Sequence, residues 1–197
     1  VVASEADELE KRFPAGDANL CTSSLYYDAL RSAAWLAEQT GRPQRLADEY
    51  RRRAETLREN IERFFGATIE GYATYRYYEG NDILRSWICV PLVTDIFERR
   101  EATVAALLSP RLWTENGMLT AAGNDTFWDR TTLYALRGIY AAGFREEATE
   151  CLRFYSQTRL LGEHVPYAVE AWPEGDQRHL SAESGLYCRI VTEGMFG

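Results

Sequence analysis

The sequence predicts an all-α chain, a partial (α/α) toroid of about three and a half helical hairpins with a small β-hairpin insertion, forming a single domain over residues 1–197. Three observations predict it. Helical apolar periodicity runs through most of the chain. Helices apolar nearly all round alternate with helices that carry one charged face. The connections between these pairs are long enough to carry function. A helix enclosed on several sides, followed by one half in water, is an inner and outer pair.

Residues Val1 to Phe13 read as a short amphipathic helix stopped by Pro14-Ala15-Gly16. Ser23 or Ser24 then caps a helix that runs to about Gln39 and ends at Thr40-Gly41. Its apolar positions, including Leu25, Tyr26, Leu30, Ala34 and Leu36, spread around most of the circumference. The next helix opens on Pro43 and runs to Phe65, with Leu46, Tyr50, Ala54, Leu57, Ile61 and Phe64 as its stripe. Arg51, Arg52, Glu55, Arg58, Glu59 and Glu62 form its wet face. Alternation over Tyr72–Tyr78 predicts a small β-hairpin with Ala67–Glu70.

The pairing then recurs. Residues 83–97 are enclosed and 99–108 amphipathic; 127–142 are enclosed and 145–160 amphipathic. A helix from Ser181 to about Glu193 begins a fourth pair. Enclosed helices thus start near 23, 83, 127 and 181, a loose repeat of roughly 45–60 residues. The competing architecture is an open α-solenoid, but the loops are irregular and no repeat consensus appears.

A formal charge of −8 argues against nucleic acid and against an anionic membrane surface. No apolar run approaches the roughly 20 residues that span a bilayer. Cys21, Cys89, Cys151 and Cys188 lack metal-ligand spacing and read as buried free thiols, so no zinc or other metal is expected. Aromatic residues reach 13%, which suits both cores and sugar-stacking platforms.

The loop 162–180 concentrates chemistry. Gly162-Glu163-His164-Val165-Pro166-Tyr167 leads into Ala168-Val169-Glu170-Ala171-Trp172-Pro173-Glu174-Gly175. Two prolines and two glycines fix the backbone, while carboxylates lie beside Trp and Tyr, the residue types glycosidic hydrolysis uses. A flanking aromatic raises a carboxyl's proton affinity by desolvation, or stacks on a sugar ring. Phe127-Trp128-Asp129-Arg130 opens an inner helix, where Asp129 is either a first-turn acid or a ligand for sugar hydroxyls. His164 and His179 flank the same loop and offer a proton-shuttling alternative, a sugar epimerase or isomerase; a non-catalytic helical scaffold is the third reading.

Three segments carry a resemblance to the six-hairpin glycosidases, in the trehalase and processing α-glucosidase branch. Gly16-Asp17-Ala18-Asn19-Leu20 ahead of a helix pair resembles the trehalase Asp-Leu-Asn segment. Phe127-Trp128-Asp129 resembles Gln-Trp-Asp, a substrate-contacting turn. Val169-Glu170-Ala171-Trp172 is similar to Val-Glu-Lys-Tyr, whose glutamate is the family's catalytic base. The resemblance implies the C-terminal portion of a six-hairpin domain, an inverting hydrolase of α-linked sugars. On it, Glu170 is the general base, Trp128, Asp129, Trp172 and Glu183 bind an oligosaccharide or glycoside, and the general acid lies outside this chain. Glu183, which opens an inner helix at the same rim, is the second choice for the base. No cofactor is implied. The open edge is expected to be covered by the remainder of the polypeptide or by self-association.

Overall fold

A computed structural model describes residues 1–4, 7, 13–160, 171–172 and 181–197, with backbone alone at 159–160, 171–172 and 181–182. Helix α1 spans Leu20–Gln39. It starts before Ser23 because the Asn19 Oδ1 accepts a hydrogen bond from the Thr22 amide at 2.8 Å, which makes Asn19 the cap. Ser23 and Ser24 are buried inside the helix instead. Helix α2, Gln44–Phe65, follows Pro43 as expected and buries Ala47, Ala54, Leu57, Ile61 and Phe65, a stripe in steps of three, four and seven.

The expected β-hairpin is present. Strands β1 (Gly66–Ile69) and β2 (Tyr72–Tyr75) pair antiparallel, with Ile69 opposite Tyr72. The two residues between them, Glu70 and Gly71, have φ of 48° and 90°, as a two-residue hairpin turn matched to strand twist requires.

Residues 83–97 are enclosed but do not form one helix. A 3-10 turn covers Ser86–Cys89, and α3 spans only Val90–Val93. Pro91 explains the break: it donates no amide hydrogen, so a new helix starts there with the proline in its first turn. Beyond α3, Asp95 is left-handed at φ 63° and stops the chain. Upstream, Leu84 and Arg85 are extended; Arg85 bridges to Ala121, and the Ala122 amide donates to the Leu84 carbonyl.

Helix α4 spans Arg100–Leu107, and two short strands, β3 (Trp113–Thr114) and β4 (Gly117–Met118), pair after it. Phe127–Trp128 forms β5, so α5 begins at Asp129 and runs to Ala141. Helix α5 is buried nearly all round, from Thr131 to Tyr140. Helix α6 (Arg145–Tyr155) continues as a π-turn over Ser156–Leu160. Ala171–Trp172 form β6, and α7 (Ser181–Arg189) ends in a second π-turn, Ile190–Met195.

The expectation for Val1 to Phe13 is corrected where the segment is described. Ala3 bridges antiparallel to Ala18, and the Ser4 amide donates to the Asp17 carbonyl at 2.8 Å. A free helix of that length is marginal in water, whereas edge pairing satisfies the backbone of both segments. Residues 5–6 and 8–12 lie outside the described residues.

Consecutive enclosed helices pack on each other: α1 against α3, α3 against α5, and α5 against α7. Helices α2 and α6 lie outside them, against α1 and α5. Trp87, Trp128, Tyr75, Tyr77, Phe65, Ile61 and Leu84 are among the largest fully buried side chains of the shared core, each worth about 1.5–3 kcal/mol for its apolar burial. On the opposite flank of α1, Leu25, Tyr26, Trp35 and Leu36 are exposed, so this inner helix is enclosed on one side only. The four thiols also divide: Cys21 and Cys89 are buried, Cys151 is half-buried with burial pushing its pKa to about 11, and Cys188 is exposed. Among the described residues no helix is long and apolar enough to cross a membrane.

Candidate functional site

The inner helices begin on a common device. Asn19, Arg85 and Trp128 each stand immediately before an enclosed helix or its leading 3-10 turn, and each has extended backbone. Short β-ladders tie these entry points together. Asn19 bridges to Tyr78, Arg85 to Ala121, and Leu119 to Phe127, while the Thr120 amide donates to the Thr126 carbonyl. The rim of the inner helices is therefore a stitched ring of extended backbone, with the amide-rich, partially positive ends of α1 and α5 gathered behind it.

The loop that the sequence singles out returns to this rim. In the antiparallel pair β5–β6, Phe127 lies opposite Trp172 and Trp128 opposite Ala171. Ala171 is the sequence neighbour of Glu170. Glu170 itself, like His164 and His179, lies outside the described residues.

Behind the β5–β6 pair sit two acids, each in the first turn of its helix. Asp129 opens α5 and is 2% exposed; Glu183 lies in the first turn of α7 and is 1% exposed. A helix N-terminus favours a carboxylate there. The Arg130 Nε donates to the Glu183 Oε1 at 2.7 Å, which joins α5 to α7. The Glu183 Oε2 is also buried and has no hydrogen-bond partner among the described residues, so this carboxylate keeps accepting capacity. The Trp128 indole is enclosed, with the Arg130 guanidinium 5.7 Å above its ring and Phe13 edge-on at 6.3 Å. The Arg130–Glu183 pair thus brings the first turn of α7 to the start of α5, which carries Trp128 and Asp129, and β6 sets the Trp172 backbone opposite Phe127.

Sequence reasoning missed Arg85, Arg130 and Phe13. Arg130 had a signal, since it follows Asp129 in the motif itself. Arg85 had one too, a lone cation inside the otherwise apolar run Ile83 to Val93. Phe13 had none, because its place depends on how the leading segment folds back. Among the described residues no group of three or more His, Cys, Asp or Glu could hold a metal ion.

Enclosed helices packed in succession, amphipathic helices outside them and a loop-built rim make the chain a partial α/α toroid. Solved structures share it. A sialidase superposes with a TM-score of 0.74 at 14% identity, over 90% of this chain and 20% of that one. Neutral trehalase Nth1 from Saccharomyces cerevisiae superposes with a TM-score of 0.59 at 12% identity, over 70% of this chain and 30% of the trehalase. At such identities the likeness is one of fold. No protein-family model and no curated protein matches the sequence.

Proposed function

We propose that the chain is the C-terminal portion of a glycoside hydrolase domain that acts on α-linked sugars with inversion, and that Glu170 is its general base. The observation that carries this reading is the β5–β6 pair, because it holds the residue next to Glu170 against Trp128, beside the buried acids Asp129 and Glu183. The toroidal fold, shared with a trehalase and a sialidase, supports it.

In the proposed step, Glu170 takes a proton from a water molecule as its oxygen bonds to the anomeric carbon. The glycosidic C–O bond breaks on the opposite face, and an acid from the remainder of the polypeptide protonates the leaving oxygen. Inverting pairs stand roughly 6.5–9.5 Å apart, which leaves room for that water. Trp128 and Trp172 are assigned to binding of the sugar. Asp129 and the free oxygen of Glu183 accept from sugar hydroxyls, since buried carboxylates make strong charge-assisted hydrogen bonds.

The test is Glu170→Gln in the complete protein. Turnover of an α-glycoside is expected to fall about 10²–10⁴-fold with the circular dichroism spectrum unchanged. Unchanged turnover removes Glu170 from the mechanism. Loss in Glu183→Gln alone would transfer the base role to α7.

A further inference from the structure

Among the described ion pairs, that between Arg130 and Glu183 is the most enclosed, with the arginine side chain 17% exposed and the glutamate side chain fully buried. Taking both charges out of water is repaid only where the geometry is good and the remaining donors and acceptors are satisfied. A pair built for stability is therefore two-pronged, since the guanidinium fork matches both oxygens of a carboxylate. This one has a single prong. The Arg130 Nε donates to Oε1 at 2.7 Å, while the equally buried Oε2 accepts from no described residue. Nor does α7 need the pair in order to dock, because Leu186 and Ile190 already bury it in the shared core.

Arg130 is itself held from behind. Its guanidinium lies 5.7 Å from the centre of the Trp128 ring, and Phe13 braces that ring edge-on at 6.3 Å. The Trp128 side chain is buried, and its backbone is fixed in the β5–β6 pair. Phe13, Trp128, Arg130 and Glu183 thus form one chain of contacts from the start of α5 to the first turn of α7. The chain ends on a carboxylate oxygen with unused accepting capacity. Such an oxygen takes a hydrogen-bond donor, a hydroxyl above all in a sugar, and repels an oxyanion.

We infer that Arg130 is a positioning residue: by engaging Oε1 alone, it aims Oε2 of Glu183 as the acceptor for one hydroxyl of the sugar. The inference rests on the glycosidase reading and deepens it. It adds a residue that acts through Glu183 without touching substrate, and it makes that subsite one for a neutral, hydroxyl-bearing position of the ring. Lysine is a poor substitute. Its ammonium is a point charge on a flexible stem that serves either oxygen, whereas the planar guanidinium lies on the Trp128 face and meets one.

The experiment measures kcat/KM of the complete protein on nitrophenyl α-glycosides of glucose, galactose and mannose, each alongside its monodeoxy forms. For the best substrate, removal of one particular ring hydroxyl is expected to cost about 10- to 100-fold, the range for a hydrogen bond to a charged group. In Arg130→Gln that penalty should shrink to about threefold or less, and Arg130→Lys should keep part of it. The ratio is the decisive readout, because a loss of folded protein lowers parent and deoxy substrates alike. Arg130→Met with Glu183→Leu tests the same point if Arg130→Gln does not fold, since apolar residues of similar volume replace a buried pair at little cost in stability. This double variant should melt near the parent temperature and show the same flattened ratio. A penalty of about tenfold surviving in either variant, or a parent enzyme in which no hydroxyl matters, overturns the inference and leaves the glycosidase reading in place. Turnover of no α-glycoside defeats both.

Discussion

Glu70 shows how a single side chain holds part of the rim. It sits in left-handed backbone, a conformation that costs a side-chain-bearing residue about 1–2 kcal/mol. Its carboxylate offsets that cost: Oε1 accepts from the Leu84 amide at 3.1 Å, and Oε2 is paired with Arg111. Arg111, and after it the Leu84 amide, hold its pKa below the ordinary 4.5. A carboxyl whose folded pKa is depressed gives its full stabilisation above the unfolded value and loses it as pH falls through the folded one. Urea melts from pH 6 downward should therefore show an acid limb that Glu70→Gln flattens; coincident limbs would remove Glu70 from the pH dependence. At this scale the sequence was partly legible. Asp129 and Glu183 could be found because first-turn acids follow from helix boundaries. Arg85 stood out as a lone cation in an apolar run, but its burial against Tyr77 and Phe13 exists only in the folded chain.

At the scale of elements, α5 is the packing centre, and Gly138 sets how closely α3 approaches it. A Cβ built there would lie 3.0 Å from the Cys89 carbonyl oxygen and 3.1 Å from the Leu92 Cβ. Neither atom belongs to a flexible side-chain end. Alanine gains about 1 kcal/mol in helix propensity over glycine, but overpacking costs about 1–3 kcal/mol. Gly138→Val, which adds more bulk with a smaller gain in propensity than alanine, is expected to destabilise the chain by about 2 kcal/mol in a denaturant titration. A value near zero would mean that α3 moves freely. Helices α2, α5 and α6 were legible because each carries a periodic pattern over three or more turns. The 83–97 segment was not, since uniform burial gives no periodicity and Pro91 decides the local geometry. The entry of α1 was misplaced because two serines three residues inside the helix resemble caps as well as Asn19 does.

For the whole molecule, the exposed flank of α1 is the consequential surface. Trp35 is 59% exposed and Leu36 52%, with Leu25 and Tyr26 also open to solvent. This chain spans 20% and 30% of the lengths of the two structures it superposes on. An apolar surface of that kind drives association in a soluble protein. Sedimentation velocity on the isolated chain should show concentration-dependent self-association, and Trp35→Glu with Leu36→Glu should shift it toward monomer. A monodisperse monomer at every concentration would show that the flank needs no cover.

The β5–β6 ladder also sets an order of events in time. Two residue pairs join segments roughly forty positions apart in the chain. Closing an open coil of that length costs about 3 kcal/mol, more than so few backbone hydrogen bonds supply. Only after α5 and α6 have folded back on each other is the gap short enough to bridge. The β5–β6 pair thus closes after the helices that carry it.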